Sequence, residues 1–242
     1  MTATSPSILR RALALLNARF ILLQLGLALL SFVLFAAWLR VPDSGVLDVI
    51  VSILLATLIL VVAFVGEASL FLRLRASTHS RRDLLRGAAI LVVMVLLWFG
   101  WNALLDHFSL NDDARAGYLN SRFPHGLRNI FSYKHLLRWS GWFWVVMRWL
   151  GTGVLLAIAV VGTFKPSLRI LRSGTYWLVL IISAVLTSLV TGTLLHWTPG
   201  HGLSVESISL LLRLSTVIVF DVAIACFVLA IITALLQRTE GT

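Results

Sequence analysis

Charged residues are scarce in this chain. They make up 12% of its 242 residues, whereas about a quarter of a globular domain is charged. Hydrophobic residues account for 59%. A soluble fold of this length could not remove that much apolar surface from water, so the composition excludes an ordinary soluble domain.

Cysteine is almost absent. The single Cys226 excludes an intramolecular disulfide, a CxxC redox pair and a thiolate metal cluster. A nucleophilic thiol needs a lowered pKa and access to solvent, but Cys226 stands among aliphatic and aromatic neighbours. We interpret it as a small core residue.

Enzymatic motifs are missing as well. The sequence contains no GxSxG turn, P-loop, GxGxxG loop, HExxH pair or paired glutamates on an apolar segment. No catalytic residue and no cofactor is therefore predicted. A membrane-embedded enzyme acting on lipid, with a Ser-His or Asp-His pair assembled from distant loops, is the third hypothesis for function.

Six apolar segments have the length that a bilayer crossing requires. Each is close to the ~20 residues that cross roughly 30 Å of hydrocarbon as a helix, and none alternates in polarity as a membrane β-strand does. The predicted fold is an all-α integral membrane protein, a bundle of six transmembrane helices forming one polytopic domain over residues 1–242. The predicted spans 1 to 6 cover about 20–39, 46–72, 87–105, 141–163, 175–196 and 206–235.

The distribution of positive charge predicts the orientation of these spans. Short cytoplasmic loops collect Lys and Arg, and the short loops of the opposite side contain only Arg40. Both termini are therefore predicted to be cytoplasmic, in the cell membrane, and the net charge of +10 reflects topology rather than nucleic-acid binding. The predicted inner residues are Arg10, Arg11, Arg19, Arg73, Arg75, Arg81, Arg82, Arg86, Lys165, Arg169, Arg172 and Arg238.

Residues 1–19 are predicted to form a short amphipathic helix. Ser5 and Pro6 match an N-cap and a first-turn proline. Such a helix would lie on the inner membrane surface, and the alternative is a simple extension of span 1. Its two faces carry Ile8, Ala12, Leu15 and Leu16 on one side and Arg10, Arg11 and Asn17 on the other.

The long outer segment, residues 106–140, is the one stretch with room for structure outside the membrane. Its second half, LRNIFSYKHLLRWSGWFW, mixes apolar and basic residues from Leu127 to Arg138. This pattern predicts a basic helix that lies in the outer headgroup layer and leads into span 4. The alternative is a lid that packs over the bundle.

Aromatic and histidine residues concentrate on the predicted outer side. An aromatic belt at the headgroups explains the tryptophans, and the alternative is an aromatic-lined cavity for a lipid or another amphiphile. The histidines form no i, i+4 pair, and the interiors of the spans contain none, so no metal or haem is predicted. The candidate outer cluster comprises Trp98, Trp101, Trp142, Trp197, His107, His196 and His201.

Four charged residues inside or near the ends of spans are candidate ion-binding or ligand-binding groups: Glu67, Arg148, Arg213 and Asp221. Glu67 is expected to reach the inner headgroups or pair with Arg73 or Arg75, and the two arginines can extend toward the outer headgroups.

Asp221 differs from the other three, because it lies about 22 Å along the helix from Glu206, near the midplane, on a short side chain. Either it pairs with a cation such as Arg148 and fixes helix register, or it forms a proton-coupled or ion-coupled site.

Small and hydroxyl-bearing residues recur at every fourth position of span 5. Ser183, Thr187 and Thr191 share one helical face. Such a face allows another helix to approach closely.

In outline the chain resembles the six-span permeases of ABC-type exporters. The likeness consists of length, cytoplasmic ends, an N-terminal amphipathic helix and the basic inner loop RLRASTHSRRDLLR, residues 73–86. It implies a permease-like or transport-associated subunit that binds a cytoplasmic ATPase. The long outer segment departs from that pattern. The alternative is a non-transporting scaffold that binds membrane lipids and other membrane subunits through its Trp-rich outer half.

Overall fold

The computed structural model describes residues 7–42, 44–75, 80–197 and 202–240. Of these residues 89% are helical and none is in a strand, which confirms the all-α prediction. The helices are α1 (Ile8–Leu15), α2 (Ala18–Trp38), α3 (Val46–Arg75), α4 (Arg81–Ser109), α5 (Asp112–Arg122), α6 (Tyr133–Val161), α7 (Phe164–Leu171), α8 (Gly174–His196) and α9 (Leu203–Glu240), with a 3-10 turn at His125–Leu127.

Six of the helices in the described part of the chain are long and apolar enough to cross a membrane, namely α2, α3, α4, α6, α8 and α9. They contain the six predicted spans with small shifts at their ends. Span 4, for example, was predicted to reach residue 163, whereas α6 ends at Val161. The reason is Gly162, which adopts a φ of 69°, a conformation that ends a helix.

The outward faces of these helices are apolar. In α3 the most apolar stretch of 18 residues has no buried residue at all, and large aliphatic side chains such as Leu54 and Ile53 are exposed. A soluble protein rarely exposes a continuous apolar surface of this extent. Helices with such faces are typical of membrane spans.

The chain divides into two compact units, one made of residues up to Leu91 and from Ala159 onward, the other of Val92–Ile158. In the first unit α9 is the central helix and packs against α1, α2, α3, α7 and α8. Its C-terminal half is buried from Val228 to Leu236. Its N-terminal half exposes apolar residues such as Ile208 and Leu211.

Helix α1 is a separate element rather than an extension of α2. Ser7 caps α1 by accepting a hydrogen bond from the Arg10 amide at 3.4 Å, and Asn17 caps α2 by accepting one from the Phe20 amide at 2.7 Å. The predicted cap residue, Ser5, lies outside the described residues. Ala12 is fully buried where α1 packs on α9.

Helix α9 also contacts α7, which the sequence did not predict. Ser167 and Ile170 are the buried residues of α7, and the exposed Lys165 and Arg169 lie on its other side. Two short amphipathic helices, α1 and α7, therefore pack against α9.

The second unit contains most of the outer segment, and this segment is largely helical. The predicted basic helix begins at Tyr133 rather than at Leu127. The physical reason is that Arg128 is bound to the end of α5. It donates to the carbonyl oxygens of Phe123 at 2.9 Å and Ser121 at 3.1 Å, so it belongs to the loop after α5 rather than to the next helix. Phe131 then stacks on Phe123 with ring centroids 4.5 Å apart.

Helices α4 and α6 approach closely within this unit at Gly151. The indole of Trp101 donates to the Met147 carbonyl at 3.1 Å, and a Cβ atom at Gly151 would overlap that indole. A residue without a side chain is therefore required here.

We predict that Gly151→Ala lowers the free energy of unfolding by about 1–3 kcal/mol, because the added methyl group overpacks the Trp101 contact. Thermal unfolding of the detergent-solubilised protein, followed by tryptophan fluorescence, measures the effect. Gly141→Ala in the same helix is the control, since a Cβ there meets nothing within 4 Å. Equal melting temperatures for the two variants would contradict the contact.

Candidate functional site

Most of the buried polar side chains that lack a hydrogen-bond partner among the described residues lie on α8 or α9, two helices that pack against each other. Four buried side-chain atoms in the described residues have no hydrogen-bond partner, and they belong to Gln24, Thr191, Ser209 and Asp221. Three of these four residues lie on α8 or α9. Native proteins leave few such groups, so their concentration marks this contact as the candidate site.

The two helices run antiparallel. Arg213 of α9 donates to the carbonyl oxygen of Leu194 of α8, while Asp221, eight residues further along α9, lies near Thr187, seven residues earlier in α8. This register brings Ser183, Thr187 and Thr191 to the α9 side, where Ser183 is buried and the two threonines are half-buried. The close-packing face predicted for span 5 is therefore used against α9.

Asp221 lies in the middle of α9 and is half-buried. The Thr187 hydroxyl group lies near it on α8, and its Oδ1 atom is buried without a partner. Neither of the ion pairs found in the described part of the chain includes Asp221. The carboxyl group therefore has a hydroxyl group as its neighbour on α8 and no cation paired with it among the described residues.

The guanidinium of Arg213 is bound to backbone carbonyl groups. Its guanidinium donates to the carbonyl oxygens of Leu194 at 3.3 Å, Trp197 and Ser209. The last carbonyl groups of a helix have no partner within that helix, and a cation there also opposes the helix dipole. Arg213 thus ties the C-terminal end of α8 to α9.

Arg148, considered from the sequence as a partner of Asp221, forms an ion pair with Asp106 at the end of α4 in the second unit. This contact links α4 to α6, as Arg213 links α8 to α9.

Glu67 also differs from expectation. It accepts a hydrogen bond from Gln24 Nε2 at 2.6 Å, whereas the expected partner Arg75 donates to the Val161 carbonyl at 2.6 Å. The pair joins α2 to α3 in a largely apolar setting, with Gln24 only 6% exposed. Cys226 on the neighbouring α9 is fully buried, which agrees with its interpretation as a core residue.

The residues of the proposed outer aromatic and histidine cluster are divided between the two units. Trp98 donates to the Thr152 hydroxyl at 3.0 Å and Trp101 to Met147, so both join α4 to α6, while Trp142 is 65% exposed. The ring of His107 meets Phe108. His196 and Trp197 belong to the first unit, and His201 lies outside the described residues.

Metal chemistry finds no support in the described residues, since no three His, Cys, Asp or Glu side chains come together there. The candidate site offers one carboxyl group and several hydroxyl oxygens. Oxygen donors of this kind suit a proton or a small hard cation.

Some residues of importance were missed by sequence reasoning. Asp112 accepts hydrogen bonds from Ser140 and Trp144 and pairs with Arg115 at 3.6 Å, so it anchors α5 to α6. Gln24 could have been found, because it is the one amide side chain in span 1. Asp112 gave no comparable signal in its polar surroundings.

Comparison of the chain with models of known protein families, with curated proteins and with solved structures gives no match. Function therefore has to be argued from the geometry of the site.

We predict that Arg213→Met accelerates amide hydrogen exchange over residues 190–197 and lowers the free energy of unfolding by about 1–3 kcal/mol, because the end of α8 loses its donor. Exchange followed by mass spectrometry in detergent measures both effects. Arg40→Met removes an exposed cation after α2 and should change neither. Unaltered exchange in α8 would contradict the capping role.

Proposed function

We propose that this chain is a multi-pass, permease-like or transport-associated subunit of the cell membrane, in which Asp221 binds a proton or a small cation. Six apolar helices with exposed apolar faces support insertion into a bilayer. The arginine distribution supports cytoplasmic termini. The proposal depends on one observation: the carboxyl group of Asp221 lies at mid-length of a membrane-length helix and has no cationic partner among the described residues.

A carboxylate at the centre of a bilayer is expensive, at least about 2.5 kcal/mol on insertion scales. A structural ion pair would explain its retention, but Arg148, the arginine considered as its partner, pairs with Asp106, and Arg213 of the same helix binds a carbonyl oxygen of α8. What is left is a group that takes up and releases a positive charge. Intramembrane carboxyl groups of this kind serve proton and ion pathways.

The hydroxyl groups on α8 make such a change consequential for the helix contact. A carboxylate only accepts hydrogen bonds, whereas a protonated carboxyl group also donates one. The nearby Thr187 hydroxyl group can therefore donate to the charged form and accept from the protonated form, and Thr191 lies one turn away with an unpaired hydroxyl group. Binding of a proton or cation thus alters the contact between α8 and α9, which a transport cycle requires.

The basic stretch 73–86 is the proposed docking point for a cytoplasmic ATPase. Arg81, Arg82 and Arg86 are exposed in the first turns of α4. Arg75 is engaged with Val161, so the docking charge is assigned to the α4 side of the loop.

A non-transporting scaffold is the second candidate, and one feature favours it. The exposed side of α9 forms an open groove lined by Leu212, Ser215, Thr216, Val219, Phe220 and Ala223. A helix of another membrane subunit would fit against such a surface.

We predict that Asp221→Asn abolishes ion movement while the protein stays folded. The assay uses proteoliposomes loaded with a pH-sensitive dye, with proton entry driven by a potassium diffusion potential, and a sodium-sensitive dye in a parallel series. Thr187→Val should slow the same flux, since it removes the hydroxyl group that lies near the carboxyl group on α8.

Glu206→Gln is the matched control, because it removes an exposed carboxyl group from the same helix. It should leave the flux at the wild-type rate. Wild-type flux in Asp221→Asn, together with a stable membrane partner on purification, would reject the transport role and favour the scaffold.

A further inference from the structure

The outward side of α6 changes character within two turns. Lys134, His135 and Arg138 are exposed in the first part of the helix. Directly below them Trp139 is 49% and Trp142 65% exposed. Val145 and Val146 continue the same side as exposed apolar residues, so a basic patch passes through an indole layer into an aliphatic strip.

The cations of this patch are free to bind a ligand. The side chains of Lys134 and Arg138 form none of the hydrogen bonds and ion pairs found among the described residues. They are four residues apart, so they lie one above the other on the same helical face, roughly 5–6 Å apart at Cβ. One phosphate group can therefore bridge both.

Nearby carboxylates are kept on the opposite side of the helix. Asp112 binds Ser140 and Trp144, and Asp113 accepts from the Tyr133 hydroxyl at 3.2 Å. The acidic groups of α5 are therefore bound to the side of α6 that faces α5. The exposed side of α6 carries positive charge that no carboxylate pairs with among the described residues. This separation favours an anionic ligand over a zwitterionic one.

We propose that Lys134, Arg138, Trp139 and Trp142 form a binding site for an anionic phospholipid, with the phosphate between the two cations and an acyl chain along Val145 and Val146. Indole prefers the headgroup level, where its ring is buried and its N–H stays wet. Basic side chains at that level attract anionic headgroups. The site rests on the bilayer insertion contained in the proposed function and is independent of any role of Asp221.

The test is quenching of tryptophan fluorescence by lipids brominated on their acyl chains. The protein is reconstituted with brominated phosphatidylglycerol or brominated phosphatidylcholine at equal mole fraction. Brominated phosphatidylglycerol should quench more strongly, and the difference should vanish in Trp139→Phe/Trp142→Phe, which removes the reporting indoles.

Lys134→Gln/Arg138→Gln should weaken the preference for phosphatidylglycerol by about five-fold for each charge removed. Arg81→Gln/Arg82→Gln, which removes two exposed charges from α4, should keep it. The preference should also fall as salt is added.

Three results would overturn the site. A preference that survives Lys134→Gln/Arg138→Gln would remove the two cations from it. Equal quenching by both lipids, with crosslinking between copies at Trp142, would assign the face to a second copy of the chain. No quenching by either lipid would reject bilayer insertion itself, whereas loss of ion flux alone would leave the lipid site intact.

Discussion

The rest of the structure depends on one constraint: six long helices keep their apolar side chains on the outside. In α3 none of the most apolar stretch is buried, and the longest run of buried residues in the described part of the chain is 228–236, in the C-terminal half of α9. In water this arrangement would expose the groups that normally drive folding. Faces of this kind suit hydrocarbon, where each polar side chain matters more because no water can satisfy it.

Those polar side chains divide into two kinds. Most of them hold helices together: Arg213 binds the last carbonyl groups of α8, Arg148 pairs with Asp106, and Gln24 binds Glu67. Such contacts stabilise the fold through the hydrogen bonds and ion pairs that they form, even though one atom, Gln24 Oε1, is left without a partner. Thr191, Ser209 and Asp221 are different, because each retains a buried side-chain atom without a partner and none of these side chains forms a hydrogen bond between helices in the described part of the chain. We assign function to the seam between α8 and α9 on that contrast, because an unsatisfied group is stable only where another ligand or another state of the protein satisfies it.

Sequence reasoning located the six long helices because a bilayer-length apolar segment is a strong signal that depends on composition alone. It failed for α7, whose eight residues are too few for such a signal. It did not predict the partners of Glu67 and Arg148, which are Gln24 and Asp106. The partner of a side chain depends on the register between helices distant in sequence, and a shift of one helical turn would give a different partner. The hydroxyl face of α8 was found because a spacing of four residues can be read from the local sequence. That this face lies near Asp221 could be learned only from the structure.

The most direct test of the account is the side of the membrane that each end of α4 occupies. In a Cys226→Ser background, single cysteines at Ser80 and Asn111, both exposed just beyond the ends of α4, are labelled with a membrane-impermeant maleimide in intact cells and in inverted vesicles. The account predicts labelling of Asn111→Cys from outside only and of Ser80→Cys from the cytoplasmic side only. Labelling of both positions from the same side would contradict it.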